Sequence, residues 1–294
     1  MKHFILFLIF ILLVCWFSGC SRAPEADIAA TTLPVYEFTS ILCEGTGLTV
    51  ARLVTESVSC LHDYTLKTAQ LRAIQGAKAL VISGAGLEDF LEDALTGAET
   101  VIDASEGLTL LEAHHDHDHD HDHDHGHVHD RDPHIWLSPH CAASMAKAIC
   151  RGLCERFPEH RETLETNLPG LLEKLEDLEA YGQAALGNLS CRELITFHDG
   201  FSCLAESFGL TVLEAVEEES GSEASAAQLI RLCGLVTEHH LPAVFTEVSG
   251  SASAASVISR ETGAGCYALD MAMAGDSYFD AMYRNIDTLR EALQ

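Results

Sequence analysis

Residues 79–95 read ALVISGAGLEDFLEDAL, and they contain one complete transition from strand to helix. The first four residues are all apolar, which is typical of a strand that is buried on both faces. Gly84 and Gly86 end the strand, and apolar residues at helical spacing follow in residues 87–95. Because strands that alternate with helices indicate a parallel sheet, the stretch predicts an α/β fold class.

The same alternation extends from this stretch in both directions and occurs twice along the chain. Strands are predicted at residues 27–32, 48–54, 79–83, 100–103, 193–197, 210–214, 243–246 and 265–269. Helices are predicted at residues 35–43, 66–75, 87–95, 139–157, 200–208, 224–239, 252–262 and 277–293. The chain is therefore expected to form two lobes, each with a mainly parallel sheet flanked by helices.

A long polar helix is predicted between the two lobes, because residues 158–187 carry leucines at helical spacing among Glu and Lys. Pro169 and Gly170 interrupt this pattern, and we expect them to kink or divide the helix. The predicted organisation is an N-terminal lobe at residues 20–157, a connecting helix at 158–187 and a C-terminal lobe at 188–294. Ligands of such folds bind at the carboxyl ends of strands, so a cleft between the lobes is the expected site.

The N-terminus has the pattern of a bacterial lipoprotein signal peptide. A short basic start precedes an apolar run at residues 4–17, and Ser18, Gly19 and Cys20 follow. The run is too short for a comfortable membrane-spanning helix. We therefore predict a signal peptide at residues 1–19, a lipid on Cys20 and an extracytoplasmic protein anchored to the outer face of the bacterial cytoplasmic membrane. An ordinary secretory signal or an N-terminal anchor is the alternative.

A histidine-rich tract reads HHDHDHDHDHDHGHVH at residues 114–129. It offers almost no apolar surface, so a disordered loop is predicted at residues 113–131. Imidazole is a common ligand for zinc, copper and nickel, and carboxylates add negative charge. Weak metal binding is therefore predicted for its nine histidines, which are His114, His115, His117, His119, His121, His123, His125, His127 and His129. The alternative is a solvated polar linker.

Charge and cysteine content exclude several classes of function. The formal net charge of −28 makes nucleic acid or anionic lipid a poor partner and suits the attraction of cations. Nine cysteines remain after Cys15 leaves with the signal and Cys20 carries the lipid, so an odd number is left. No CxxC pair occurs, which argues against a cysteine zinc site. Free thiols and one or two disulfides are the alternatives.

Four candidate metal ligands lie where predicted strands end or in loops that face the cleft. His62 lies in LHDYT, His134 in DPHIWLSP, His198 in ITFHDGF, and Asp270 ends the strand CYALD. Three imidazoles and one carboxylate suit a tetrahedral zinc site. Polar residues nearby are candidates to orient these ligands, and they are Asp63, Asp132, Asp199 and Glu247.

With these motifs in order, the chain resembles the cluster A-I solute-binding lipoproteins of bacterial ABC transporters for zinc and manganese. The matching segments are LHDY, VISGAGLEDFL, DPHIWLSP, ITFHDGF, VFTEVSGSASAASVISRETGA and LDMAMAGDSYFDAMYRNIDTL. The resemblance implies two α/β lobes joined by a rigid long helix, with the metal between them on His62, His134, His198 and Asp270. Two departures loosen local loops: the prolines around LHDY are absent, and TEVSGS replaces the usual Thr-Glu-Pro stretch.

The resemblance also implies a function in zinc uptake rather than in catalysis. Three histidine ligands favour Zn²⁺ over Mn²⁺, which prefers harder ligands. The expected partners are an ABC permease and its ATPase, and the protein is expected to be a monomer that binds no nucleic acid. A manganese transporter component, a metal-storage lipoprotein and an adhesin are the alternatives. An extracellular zinc hydrolase is disfavoured because HExxH is absent.

Overall fold

The computed structural model describes residues 26–56, 61, 64–111, 131–216 and 224–294. The described residues form two four-stranded sheets, and every strand pair in them is parallel. The strands are β1 (Ile28–Ala30), β2 (Val50–Arg52), β3 (Ala79–Ile82), β4 (Val101–Asp103), β5 (Glu193–Thr196), β6 (Thr211–Ala215), β7 (Ala243–Glu247) and β8 (Gly265–Leu269). The predicted fold class of two parallel-sheet lobes is confirmed.

Helices flank both sheets, and each overlaps a predicted segment, although the helix predicted at residues 87–95 is much shorter. They are α1 (Leu33–Leu42), α2 (Thr68–Gly76), α3 (Glu92–Leu95), α4 (Pro139–Arg156), α5 (Arg161–Leu186), α6 (Ser202–Ser207), α7 (Ala226–Glu238), α8 (Ser253–Thr262) and α9 (Tyr278–Leu293). We refer to β1–β4 with α1–α4 as the N-terminal lobe, and to β5–β8 with α6–α9 as the C-terminal lobe. Helix α5 lies between them in the chain.

Strand order places the carboxyl ends of four central strands at the sites where ligands bind in such folds. The sheets have the orders β2-β1-β3-β4 and β6-β5-β7-β8, so the chain reverses direction across the sheet between β1 and β3 and between β5 and β7. A crevice opens at such a switch point, outside the carboxyl ends of the strands. The loops that follow β5 and β7 therefore lie at such a switch point.

Helix α5 continues through Pro169, so the expected division of the helix is wrong. One face of the helix is buried, through leucines that include Leu171 and Leu178, and it packs on α1 and α4 of one lobe and on α9 of the other. Burial along this face offsets the hydrogen bond that a proline removes. Gly182 lets Phe208 pack closely, because a Cβ atom at this position would lie 2.2 Å from the phenyl ring.

The turn after β3 is held by a buried carboxylate, and this corrects the predicted helix at residues 87–95. Glu88 accepts hydrogen bonds from the Thr31 hydroxyl at 2.6 Å and from the backbone amides of Ser83 and Gly84 at 2.7 and 2.9 Å. Burial raises the pKa of Glu88 to about 7, although these three donors act against the rise. Because Glu88 bonds back to the strand end, the chain first forms a turn and only becomes α-helical in α3.

The segment between β8 and α9 ties the C-terminal lobe to the N-terminal lobe. The Trp136 indole donates to the Met271 carbonyl at 2.7 Å, and the Tyr278 hydroxyl donates to the Trp136 carbonyl at 2.7 Å. The Leu33 amide donates to the Met273 carbonyl at 3.2 Å. Trp136 and Tyr278 are fully buried. The lobes therefore share one continuous apolar core around these side chains.

Two sequence expectations concern cysteines and membrane segments. The eight cysteines in the described residues are all free thiols, so no disulfide forms among them. Within the same residues, none of the helices is long and apolar enough to span a membrane. The predicted signal peptide, Cys20 and the histidines at 114–129 lie outside the described residues.

Candidate metal centre

His134 is a buried imidazole whose orientation is set by a neighbouring carboxylate. It precedes the short 3-10 turn Ile135–Leu137 and is 4% exposed. Its Nδ1 atom lies 2.8 Å from Asp132 Oδ1, and its backbone amide donates to the same oxygen at 2.9 Å. An ionised carboxylate only accepts hydrogen bonds, so Nδ1 carries the proton and Nε2 remains as the metal-binding atom.

Asp132 is suited to this role by its surroundings. Burial acts to raise its pKa, but hydrogen bonds and electrostatic attraction from His134 outweigh burial and hold the pKa below its ordinary value. Its backbone amide donates to the Leu111 carbonyl at 3.0 Å, which fixes the chain on the N-terminal side of His134. The buried Trp136 fixes the other side. The imidazole is therefore held from both sides of the chain.

His198 faces His134 from the other lobe. It follows β5, at the switch point of the C-terminal sheet. The two imidazole rings meet edge to face, with centroids 5.4 Å apart and an interplanar angle of 78°. Gly200 makes room for this arrangement, because a Cβ atom there would lie 2.7 Å from both His198 Cδ2 and Met271 Cε. The structure thus brings together two of the four predicted ligands.

Glu247 stands behind His198 at the end of β7. Its Oε2 atom lies 3.8 Å from His198 Nδ1, and its side chain is 4% exposed. Burial raises the pKa of Glu247 to about 8, with a further contribution from the negative charge of Asp270. A divalent cation beside these groups would act in the opposite direction and favour the charged carboxylate. The position suits the predicted role of orienting a ligand.

Asp270 lies next to this pair, but its carboxylate has other partners. It follows β8, whose last residue Leu269 pairs with Glu247. Its Oδ1 atom accepts from the Ala272 amide at 2.8 Å, and its Oδ2 atom lies 3.3 Å from Arg284 Nη2. Among the residues that the structure describes, no three His, Cys, Asp or Glu side chains are grouped closely enough to hold a metal. His134 and His198 are the two predicted ligands that face each other among the described residues.

Three further predicted residues complete the list. His62 and Asp63 lie outside the described residues, and Asp199 lies in the turn between β5 and α6. Sequence reasoning missed Arg284 and Asn285, which both contact Asp270. A buried Asn on the apolar face of the predicted helix 277–293 was the available signal, since buried amides almost always have a partner.

Comparison with known proteins identifies the family. A family model described as zinc-uptake complex component A, periplasmic, matches residues 28–292, which is nearly the whole described chain. The chain belongs to this ZnuA family. The resemblance inferred from the sequence motifs is thereby confirmed, and the family is described as a component of zinc uptake rather than as an enzyme.

Two relatives of known name are similar to this chain in sequence. The high-affinity zinc uptake system protein ZnuA of Bacillus subtilis is 30% identical over 289 residues, which cover 94% of this chain and 90% of that protein. The zinc-binding lipoprotein AdcA of Streptococcus pneumoniae is 28% identical over 290 residues. The match covers 93% of this chain but 58% of AdcA, so the chain spans little more than half the length of that relative.

Solved structures agree with the fold. The Zn(II)-bound ZnuA-like domain of S. pneumoniae AdcA superimposes with a TM-score of 0.75 at 25% identity, covering 92% of this chain and 99% of that domain. The laminin-binding protein Lmb of Streptococcus agalactiae, described as a bifunctional adhesin and metal transporter, has a TM-score of 0.76 at 22% identity and covers 92% of this chain and 100% of that one. At this identity the Lmb comparison supports the fold alone.

Proposed function

We propose that this protein captures Zn²⁺ outside the cytoplasm and delivers it to the permease of an ABC importer, which its ATPase drives. The observation that carries the proposal is the facing pair His134 and His198, one from each lobe, with a carboxylate beside each Nδ1 atom. The hydrogen bond from His134 to a carboxylate is the usual arrangement around protein-bound zinc, and Glu247 lies 3.8 Å from His198 Nδ1. Membership of a zinc-uptake family supports the same cargo.

The proposed ligand set is His62, His134, His198 and Asp270. Three neutral nitrogens and one carboxylate suit tetrahedral Zn²⁺, whereas Mn²⁺ prefers more oxygen ligands. The zinc-bound state of the AdcA domain supports zinc as the cargo. We propose that three further carboxylates orient these ligands without binding the metal, and they are Glu247, Asp132 and Asp199.

The cargo is tested by titrating residues 21–294 with Zn²⁺ and with Mn²⁺ in separate calorimetric experiments against a competing chelator. The proposal predicts one tight zinc site, several weak zinc sites and much weaker manganese binding. Tight manganese binding together with weak zinc binding would assign the protein to manganese transport. A titration that shows only weak zinc sites would contradict zinc capture and favour metal storage or adhesion.

Replacing Asp132 by Asn should weaken the tight zinc site by about ten- to a hundredfold, because the amide no longer fixes the proton of His134 on Nδ1. The measurement is competitive calorimetry on the metal-free protein. Asp287→Asn, on the outer face of α9, is the matched control and should leave zinc affinity unchanged. An Asp132→Asn variant that binds zinc like the unmodified protein would contradict the proposed role of Asp132.

The histidine-rich tract is proposed to concentrate zinc near the tight site. Many weak ligands tethered beside a site raise the local concentration of metal without adding to its intrinsic affinity. Deleting residues 116–127 should therefore remove the weak sites in calorimetry and leave the affinity of the tight site within about twofold. Loss of the tight site in the deletion variant would contradict this division of roles.

The proposed location follows from the N-terminal sequence and from the lipoprotein relative. A lipid on Cys20 would hold the protein at the outer face of the cytoplasmic membrane, within reach of a permease. We propose that it acts there as a monomer. Metabolic labelling with a fatty acid tests the anchor, and Cys20→Ala should abolish the label and release the protein from the membrane.

A further inference from the structure

The Asp270 carboxylate is already paired with a cation of the protein itself. Arg284 projects from α9, and its Nη2 atom lies 3.3 Å from Asp270 Oδ2. The other oxygen of the carboxylate accepts from the Ala272 amide at 2.8 Å. Each oxygen of the carboxylate therefore has a partner within the protein, and one of these partners places a positive charge where a metal ion would bind.

Asn285 holds the backbone of Asp270 through two hydrogen bonds. The Asn285 amide nitrogen donates to the Asp270 carbonyl at 2.7 Å, and the Asn285 side-chain oxygen accepts from the Asp270 amide at 2.8 Å. Asn285 is 2% exposed. Arg284 and Asn285 are neighbours on α9, so one helix holds both the main chain and the carboxylate of the same residue.

Strand pairing connects this arrangement to the two histidines. Glu247, which lies behind His198, pairs with Leu269 in the ladder between β7 and β8. The Val248 amide also donates to the Leu269 carbonyl at 2.9 Å. Asp270 is the next residue in the chain, so the carboxylate that Arg284 holds stands at the edge of the candidate metal centre.

The exposed side chain of Arg284 can leave and return to Asp270, and it can therefore compete reversibly with a metal ion for the carboxylate. Its side chain is 63% exposed, whereas that of Asp270 is 25% exposed. Moving the guanidinium away from the carboxylate into water costs little free energy, because exposed ion pairs are weak. When it stays close, its positive charge opposes a second cation at the carboxylate.

We propose that Arg284 sets the affinity for zinc by competing with the metal for Asp270. The inference rests on the proposed function and on Asp270 as a ligand. In the metal-free protein Arg284 holds the carboxylate, and in the loaded protein it remains near enough to repel the metal. Zinc binding is thereby weakened and zinc release is made faster, which suits a protein that must give up its cargo.

The test is the Arg284→Gln variant of the residue 21–294 protein. Its zinc affinity should rise by about three- to tenfold, and zinc transfer to an excess of chelator should slow by a similar factor. Arg284→Lys keeps the charge and should bind zinc like the unmodified protein. Arg290→Gln removes a charge from the same helix at its pair with Asp287 and is the control that should change neither quantity.

A double-mutant cycle identifies Asp270 as the group through which Arg284 acts. In the Asp270→Asn background, Arg284→Gln should change zinc affinity by less than about twofold. The thermal midpoint of the metal-free Arg284→Gln protein should move by no more than about 3 °C, because an exposed ion pair adds little stability.

Three outcomes would overturn the inference. Weaker zinc binding in Arg284→Gln would make Arg284 a residue that orients Asp270 for the metal. Unchanged binding, with a tight site in the unmodified protein, would remove the role of Arg284 and leave the proposed function intact. Absence of a tight zinc site in the unmodified protein would contradict both the role of Arg284 and the proposed function.

Discussion

His134→Ala is expected to weaken the tight zinc site by at least about a hundredfold, since loss of a ligand should cost no less than loss of the partner that orients it. The His134 imidazole is held by Asp132 at 2.8 Å and stands opposite His198 with ring centroids 5.4 Å apart. An alanine supplies no nitrogen, and the buried position excludes an easy substitute. Calorimetry against a competing chelator measures the change. His198→Ala should have an effect of the same size.

A histidine near His134 in the chain provides the matched control. His140 is exposed on the first turn of α4, and His140→Ala should leave the tight site unchanged. If His134→Ala keeps a tight zinc site in a protein that lacks residues 116–127, the ligand set proposed here is wrong. The deletion is needed because histidines of the tract would otherwise compete for zinc in both proteins.

Trp136→Ala is expected to lower the free energy of unfolding by about 3–5 kcal/mol. The indole is fully buried, and its Nε1 atom donates to the Met271 carbonyl at 2.7 Å, so the substitution leaves both a cavity and an unpaired carbonyl. The cavity would open where the two lobes share their core. Urea unfolding of the metal-free protein, followed by circular dichroism, measures the change.

Trp136→Phe separates the hydrogen bond from the packing. It keeps most of the buried ring and should cost about 1–2 kcal/mol, mainly for the carbonyl of Met271. If Trp136→Ala costs less than about 1 kcal/mol, Trp136 does not hold the lobes together in the way that its contacts indicate. Circular dichroism suits this comparison because neither variant retains a tryptophan after residue 20.

The sequence was sufficient to predict the strands, the helices and their division into two lobes. A four-residue apolar run such as residues 79–82, ended by glycines, is too short for a buried helix and favours a strand, and helices between such strands favour parallel pairing. The histidines at 134 and 198 are predicted to share one metal site, because His198 ends a predicted strand and His134 lies in the motif DPHIWLSP. Their proximity across the lobes agrees with that prediction.

Other features depend on contacts between distant segments, which local patterns do not record. The helix predicted at residues 87–95 starts late because Glu88 bonds to Thr31, which lies 57 positions earlier. Pro169 fits inside α5 because the surrounding helix is buried against both lobes. The engagement of Asp270 by Arg284 and Asn285 depends on how α9 lies against β8. His62 and the histidine-rich tract stay predictions, since they lie outside the described residues.

The zinc ligands themselves give the most direct test of the proposed metal centre. The measurement is the X-ray absorption spectrum of zinc bound, at one equivalent, to the protein that lacks residues 116–127. The proposal predicts four nitrogen or oxygen ligands at about 2.0–2.1 Å, with the outer-shell scattering of three imidazoles. The described residues include eight free cysteines, so the measurement must also distinguish sulfur ligands. Sulfur at about 2.3 Å, or a shell without imidazole, would contradict a site built on His134 and His198.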